Sequence, residues 1–176
     1  LKKGIRIPVV KDIKLDLPRI ESVEIGDKVI ELNELFGWFI GAYLAEGCIN
    51  NSSIKITSIK DKFIKNTTKI AKMLDKKIIV RNYKGEFGPG IDSSFSHKPL
   101  ADFLTDKCKN GSFLKVVPDF AYGAPEEFTK GLLRGYFDGD GNVQCDKQHH
   151  YFRACSRSEQ LIKDLGLLYA YKGICV

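Results

Sequence analysis

The sequence predicts an α+β fold built from two similar halves, and three features carry that reading. A nine-residue motif occurs twice: Phe39-Ile40-Gly41-Ala42-Tyr43-Leu44-Ala45-Glu46-Gly47 is echoed by Leu133-Arg134-Gly135-Tyr136-Phe137-Asp138-Gly139-Asp140-Gly141, each an apolar run ending on an acid and a glycine. Small residues recur every four positions, as Gly37, Gly41, Ala45 and as Gly131, Gly135, Gly139. On a helix such positions share one face. A face of Gly and Ala lets two helix backbones approach almost to contact, a device best known from membrane helices. Last, the order of elements that follows the first motif begins again after the second.

Residues 1–30 alternate at Ile5, Ile7 and Val9, are interrupted by Pro8 and Pro18, and are dense in charge, so strand and loop are expected there. A helix is expected from about Glu34 to Glu46, followed by a short hairpin whose clearest strand is Ile54-Lys55-Ile56-Thr57. From Lys60 to Asp75 the apolar residues Phe63, Ile64, Ile70, Met73 and Leu74 keep helical spacing. Lys77 to Tyr83 is β-rich, and Glu86 to Ser96 is its expected partner across a Gly-containing turn. Pro99 to Lys107 is expected as a helix with Pro in its first turn, and Pro125 to Asp138 as the second motif helix.

The restart is visible in the residues. Ile56-Thr57-Ser58 with Phe63-Ile64-Lys65 is paralleled by Ala154-Cys155-Ser156 with Leu161-Ile162-Lys163. Lys77-Ile78-Ile79-Val80 is paralleled by Gly173-Ile174-Cys175-Val176. A repeat of this length implies two units packed about a pseudo-twofold axis. The expected organisation is an N-terminal arm over 1–30, a first repeat over 31–124 and a partial second repeat over 125–176.

If the two glycine faces meet, Glu46 and Asp140 lie side by side at helix C-termini. An acid there is disfavoured by about 0.3–1 kcal/mol, and two neighbouring carboxylates raise each other's pKa. A bound divalent cation removes both objections, and oxygen ligands completed by water suit Mg²⁺. A single acid–Gly pair is ordinarily a plain helix C-cap; two with the same internal spacing argue for the metal. A calcium loop competes, because Asp138, Asp140 and Asn142 have the 1-3-5 spacing of an EF-hand. It fails because positions 6 and 12 hold Val143 and His149, where Gly and Glu are needed.

These motifs resemble those of the LAGLIDADG homing endonucleases. Gly41, Ala45, Glu46 and Gly47 match the third, seventh, eighth and ninth letters of the family motif, as do Gly135, Gly139, Asp140 and Gly141. Phe113-Leu114-Lys115-Val116-Val117-Pro118 resembles the Lys-x-x-Pro block ahead of the second motif in intein-encoded members. Ala124-Pro125-Glu126-Glu127-Phe128 leading into Gly131 is similar to the same group. The likeness covers about residues 34–176.

The resemblance implies an αββαββα pseudo-twofold repeat whose antiparallel sheets form a DNA-binding saddle, with the second repeat incomplete here. It implies a site-specific endonuclease acting on double-stranded DNA with Mg²⁺, for which Mn²⁺ substitutes. Glu46, Asp140 and Lys115 are its implied catalytic residues, and Glu46, Asp140, Gly47 and Gly141 its metal site. Gly41, Ala45, Gly135 and Gly139 form its implied helix interface. Metal at the two acids would supply Lewis-acid activation at both strands. Lys115 would position or activate water, or neutralise developing charge. The implied partners are duplex DNA and, within an intein, the two halves of a host protein. A monomer with internal pseudo-dimer symmetry suits a loosely symmetric DNA site.

The strands supply a DNA-reading face. Lys55 and Thr57 alternate with Ile54 and Ile56, Arg81 and Tyr83 with Ile78 and Val80, and Arg153 lies between Phe152 and Ala154. A β-ribbon fits the major groove, and its Arg and Lys side chains reach guanine. Lys55, Thr57, Arg81, Tyr83, Lys84, Lys147, Arg153 and Arg157 are the expected DNA contacts.

Composition agrees with such a partner. The chain has 28 Lys+Arg against 22 Asp+Glu, a net charge of +6 that attracts phosphates without regard to sequence. Its 176 residues and 43% hydrophobic content suffice for one sizeable core. No apolar run approaches the roughly 18 residues of a membrane span, and no signal peptide opens the chain; no membrane partner and a cytoplasmic, intracellular location are expected. Cys48, Cys108, Cys145, Cys155 and Cys175 form no CxxC pair, so neither a zinc site nor a disulfide framework is expected.

Two departures from the family qualify these expectations. Sixty-nine residues separate Glu46 from Lys115, whereas 36 follow Asp140, so a counterpart of Lys115 in the second repeat is missing. An unpaired strand edge and impaired cleavage are expected. Lys3-Gly4-Ile5-Arg6-Ile7-Pro8-Val9 resembles a strand of an intein splicing domain, yet the chain has no N-terminal Cys or Ser and no His-Asn terminus, so splicing by it is not expected. A non-cleaving DNA-binding or regulatory module and an RNA maturase are the alternative functions on this scaffold. Glu46, Asp140 and Lys115 favour the nuclease.

Overall fold

The computed structural model describes residues 16–85, 88–145 and 150–173. The expected strand at Ile5–Val9, Lys147 and the segment 174–176 lie outside the described residues.

A hairpin of β1 (Ser22–Ile25) and β2 (Lys28–Glu31) turns at Gly26, whose φ of +67° favours glycine. It feeds α1 (Glu34–Glu46), where the Asn33 side chain accepts from the Phe36 N–H at 3.0 Å and caps the first turn. β3 (Gly47–Asn50), β4 (Ser53–Thr57), α2 (Asp61–Met73), β5 (Ile79–Gly85), β6 (Gly88–Ser96) and α3 (Lys98–Lys107) complete the first half. After a short α4 (Phe120–Gly123), the order resumes with α5 (Glu126–Asp140), β7 (Gly141–Cys145), β8 (His150–Ala154) and α6 (Glu159–Tyr171). All pairings are antiparallel, in a four-stranded sheet ordered β3-β4-β6-β5 and in two-stranded sheets β1-β2 and β7-β8. The fold is the expected α+β arrangement.

Helix α1 is the centre of the core. Phe36 through Leu44 are buried without a break, as a helix apolar on all sides requires. Aromatic rings of Phe36, Phe39, Phe95 and Phe128 link α1 to β6 and α5 at centroid separations of 6.2–6.5 Å. Helix α2 turns Phe63 and Ile70 inward and Lys62, Lys65, Lys69 and Lys72 to solvent.

The contact between α1 and α5 is backbone on backbone. A Cβ on Gly41 would fall 2.0 Å from the Leu132 carbonyl oxygen, and one on Gly135 2.0 Å from that of Trp38. A Cβ on Gly37 would meet the Phe128 oxygen at 2.0 Å, and one on Gly131 the Glu34 oxygen at 2.2 Å. In every case the opposing carbonyl belongs to the residue three before the partner glycine. The two helices are thus related by the pseudo-twofold axis that the repeat predicts. Trp38 Nε1 adds a hydrogen bond of 2.7 Å to Asp138 across the same interface.

Some expectations change. The boundary at residue 30 falls inside β2: Ile25, Ile30 and Leu32 are core residues, and Ile20 N donates to Gly123 O at 2.9 Å. The described part of the arm therefore belongs to the first half from Ile20 onward. Helix α4, a single turn, is too short for periodicity to reveal. Helix α5 runs on to Asp140 because the Gly141 N–H still bonds the Phe137 oxygen.

Among the described residues β8 pairs only with β7. Phe152, in the place that Ile54 holds in the first half, is 74% exposed where Ile54 is 0%.

Gly135→Ala tests the helix contact. Overpacking ordinarily destabilises by about 1–3 kcal/mol, and here the obstacle is backbone that cannot rotate away, so the loss is expected at or above the top of that range. Urea unfolding of the variant measures it; an unchanged midpoint would refute the contact.

Candidate functional site

Glu46 and Asp140 are the last residues of α1 and α5, so the glycine contact delivers both to one place. A Cβ on Gly139 would lie 2.5 Å from Ala45 Cβ and 3.0 Å from Glu46 Cγ, which shows the Glu46 side chain lying across Gly139. Burial raises the pKa of both carboxyls, and Asp140 raises that of Glu46 further. Lys60 and Lys115 oppose the shift at Glu46, and Lys115 and the Tyr136 hydroxyl oppose it at Asp140.

These hard oxygen donors, held together where helix dipoles disfavour them, fit a divalent cation. Among the described residues no group of three or more His, Cys, Asp or Glu side chains is placed to hold a metal. An ion here would complete its shell with water and phosphate oxygens, the habit of Mg²⁺.

Lys115 is 5% exposed and sits at the end of α1. Its Nζ donates to the carbonyl oxygens of Tyr43 (2.7 Å), Leu44 (3.1 Å) and Gly47 (2.8 Å), and it lies 5.1 Å from the Tyr43 ring centroid. Burial pulls its pKa down to about 8, while Asp140 pulls the other way. Three carbonyl acceptors require three N–H donors, so the ammonium form is the one the site holds. The Gly47 oxygen accepts one of these bonds, and with all three N–H groups engaged by protein carbonyls the ammonium is suited to charge neutralisation rather than to orienting a water. The loop bearing it is fixed to α6, since Ser158 Oγ donates to Lys115 O at 2.7 Å and Val117 N to Asp164 at 3.1 Å. Lys115, Asp140, Ser156 and Arg157 line an open cleft of about 450 Å³.

Cross-strand register assembles the polar sheet face. Lys55 stands opposite Ser94 and Cys48, Thr57 opposite Asp92, and Arg81 opposite Asp92. Asp92 accepts from Thr57 Oγ1 at 2.7 Å and pairs with Lys55 at 3.3 Å. It is a central group that sequence reading missed, because only register reveals it. Tyr83 shares the strand parity of Arg81; Lys84 does not, and lies on the Val80 side. Arg153 stands opposite Asn142 in the second sheet. Arg157 lies off the strands, over the Phe113 ring at 4.1 Å beside the cleft.

An acid pair at the crossed ends of two glycine-lined helices, with an antiparallel sheet beside each, defines a LAGLIDADG-type fold. Residues 127–174 match the LAGLIDADG-like domain family. The second motif and the elements that follow it are thus similar to that family, and the chain shares the fold of LAGLIDADG proteins. It is similar to the N-terminal LAGLIDADG domain of DUF199/WhiA (TM-score 0.53, 13% identity, 82% of this chain and 67% of that one). It is also similar to mesophilic variants of the homing endonuclease I-DmoI (TM-score 0.57, 12% identity, 82% and 79%). I-DmoI in complex with DNA and Mn matches at TM-score 0.53, with 10% identity over 79% and 77%.

Among curated proteins, the DNA-directed RNA polymerase subunit Rpo1C of Methanocaldococcus jannaschii is 35% identical over 201 residues, covering 97% of this chain and 22% of the relative. A DNA polymerase of Thermococcus sp. (strain GE8) is 29% identical over 106 residues, covering 60% and 6%. The chain thus spans about a fifth or less of the length of these relatives.

The acid pair sets a pH-dependent expectation. Both carboxyls have folded-state pKa values above their unfolded ones, so their contribution is favourable at low pH and is lost as pH rises through the folded pKa. In EDTA at neutral pH, Asp140→Asn should stabilise by about 1 kcal/mol, or about 2–4 °C. The gap should close as pH falls toward about 4, and Mg²⁺ should raise the parent's midpoint but not the variant's. Scanning calorimetry decides; a variant no more stable than its parent in EDTA would refute the electrostatic reading.

Proposed function

We propose that this chain is the DNA-cleaving domain of an intein: a site-specific, divalent-metal-dependent endonuclease acting on double-stranded DNA. The observation that carries the reading is the meeting of Glu46 and Asp140 at the crossing of α1 and α5, an arrangement unfavourable without a cation. Support for a DNA partner comes from the I-DmoI complexes with DNA and Mn or Ca, and from the excess of basic residues. Support for the intein setting comes from the relatives. One module matching small parts of an RNA polymerase subunit and of a DNA polymerase is explained by insertion rather than by either polymerase's chemistry. The host protein's two halves and a cytoplasmic location follow from that setting. A monomer with internal pseudo-dimer symmetry follows from the glycine contact within one chain.

In this reading Lys55, Thr57 and Arg81 on the first sheet and Arg153 on the second face the duplex, with Asp92 able to accept from cytosine N4. Hydrolysis joins a water oxygen to phosphorus while one P–O ester bond breaks and the leaving oxygen takes up a proton. Glu46 and Asp140 would hold Mg²⁺ or Mn²⁺, which supplies Lewis-acid stabilisation of the phosphoryl oxygens and of the attacking and leaving groups. Lys115, locked by three carbonyls, sets a fixed positive charge beside Asp140 where negative charge accumulates.

Binding selection from a randomised duplex library in Ca²⁺, followed by transfer to Mg²⁺, tests the function. The parent should cut the selected duplexes, and Asp140→Asn should bind them but cut about 10²-fold or more slowly. Duplexes bound tightly and cut in neither Mg²⁺ nor Mn²⁺ would favour the non-cleaving module instead.

A further inference from the structure

We propose that Lys60 is the lysine of a second half-site, built around Glu46, and supplies there from the first repeat the charge that Lys115 supplies at Asp140; this rests on the nuclease reading. Lys115 Nζ donates to the carbonyl oxygen of Leu44 at 3.1 Å, and Lys60 Nζ donates to that of Asp138. Leu44 and Asp138 each stand three residues beyond their motif glycine, Gly41 or Gly135. Lysine ammoniums therefore cap both motif helices at equivalent carbonyls.

The two lysines come from different places. Lys115 lies in the loop before α4, while Lys60 is the N-cap residue of α2, where the second half has Ser158 at the start of α6. The two ammonium groups thus reach equivalent carbonyls from different positions in the chain.

Each lysine also faces across the axis. Lys115 shares its cleft with Asp140, the carboxylate whose charge acts on it most strongly. Lys60 is the leading positive charge on Glu46, ahead of Lys115. Lys60 is exposed, so a phosphate can reach it. Its neighbour Lys62 is engaged otherwise, with the Asp138 carboxylate and 5.9 Å from the Trp38 ring centroid.

The half-sites differ in charge. Beside Asp140 and Lys115 stands Arg157; the corresponding residue after β4 is Ile59, which is exposed. Among the described residues the Glu46 half-site has one cation fewer.

The test uses duplexes selected in Ca²⁺ and labelled on either strand, with strand-resolved cleavage in Mg²⁺ and phosphate-ethylation interference in Ca²⁺. Lys60→Met should slow cutting of one strand about 10²-fold and leave the other within about threefold, Lys115→Met should slow the opposite strand, and Lys60→Arg should restore most of the loss. Lys62→Met should change neither strand. Ethylation of one phosphate should interfere with binding by the parent but not by Lys60→Met. Equal slowing of both strands, no slowing, or an unchanged interference pattern with Lys60→Met would overturn the proposal. If the parent binds and cuts neither strand, the nuclease reading fails and the interference pattern alone decides on Lys60. If no duplex is recovered, both fail.

Discussion

Everything in this molecule depends on how closely α1 and α5 approach. Glycine against carbonyl at Gly37, Gly41, Gly131 and Gly135 brings the helix axes together without side chains between them. The contact makes α1 a core helix, buried from Phe36 to Leu44. It also fixes where the helices end relative to one another, and so where Glu46 and Asp140 stand. Farther along, Gly139 leaves the space that Glu46 occupies. The packing device and the chemical device are one series of small residues.

The charges at the crossing form a system. Two helix C-termini direct partial negative charge toward two carboxylates, and the fold answers with ammonium groups at both ends, Lys115 on α1 and Lys60 on α5. The lysines satisfy terminal carbonyls and make the potential at the acids less negative. Burial still holds both acids above their ordinary pKa. A divalent cation bound between the acids would relieve that residual imbalance and would give the metal-free and metal-loaded states different pH profiles.

Much of this was legible in the sequence because it rests on fixed periods. Spacing of four gave the helix interface, and the acid–Gly ending gave the paired carboxylates. Alternation at Ile54-Lys55-Ile56-Thr57 gave the first sheet's two faces, as observed in the burial of Ile54 and Ile56. Period two also excludes Lys84 from the Arg81 face, because the two stand at an odd offset along β5. What the sequence hid was long-range. Asp92 enters the polar face only through the register of β4 with β6. Lys60 reaches Asp138 across 78 residues, and Lys115 reaches Tyr43 across 72. No local pattern encodes such contacts. The β1–β2 hairpin was misplaced in an arm because its core residues, Ile25 and Ile30, are too few to outweigh the surrounding charge.

The most direct measurement is a crystal structure of the chain with a selected duplex and Mn²⁺, using anomalous scattering to locate the metal. Manganese between the Glu46 and Asp140 carboxylates, coordinated also by DNA phosphate oxygens, is the result expected. A well-ordered complex with manganese bound elsewhere, or with the two carboxylates turned apart, would contradict the claim that the glycine contact exists to build a shared metal site.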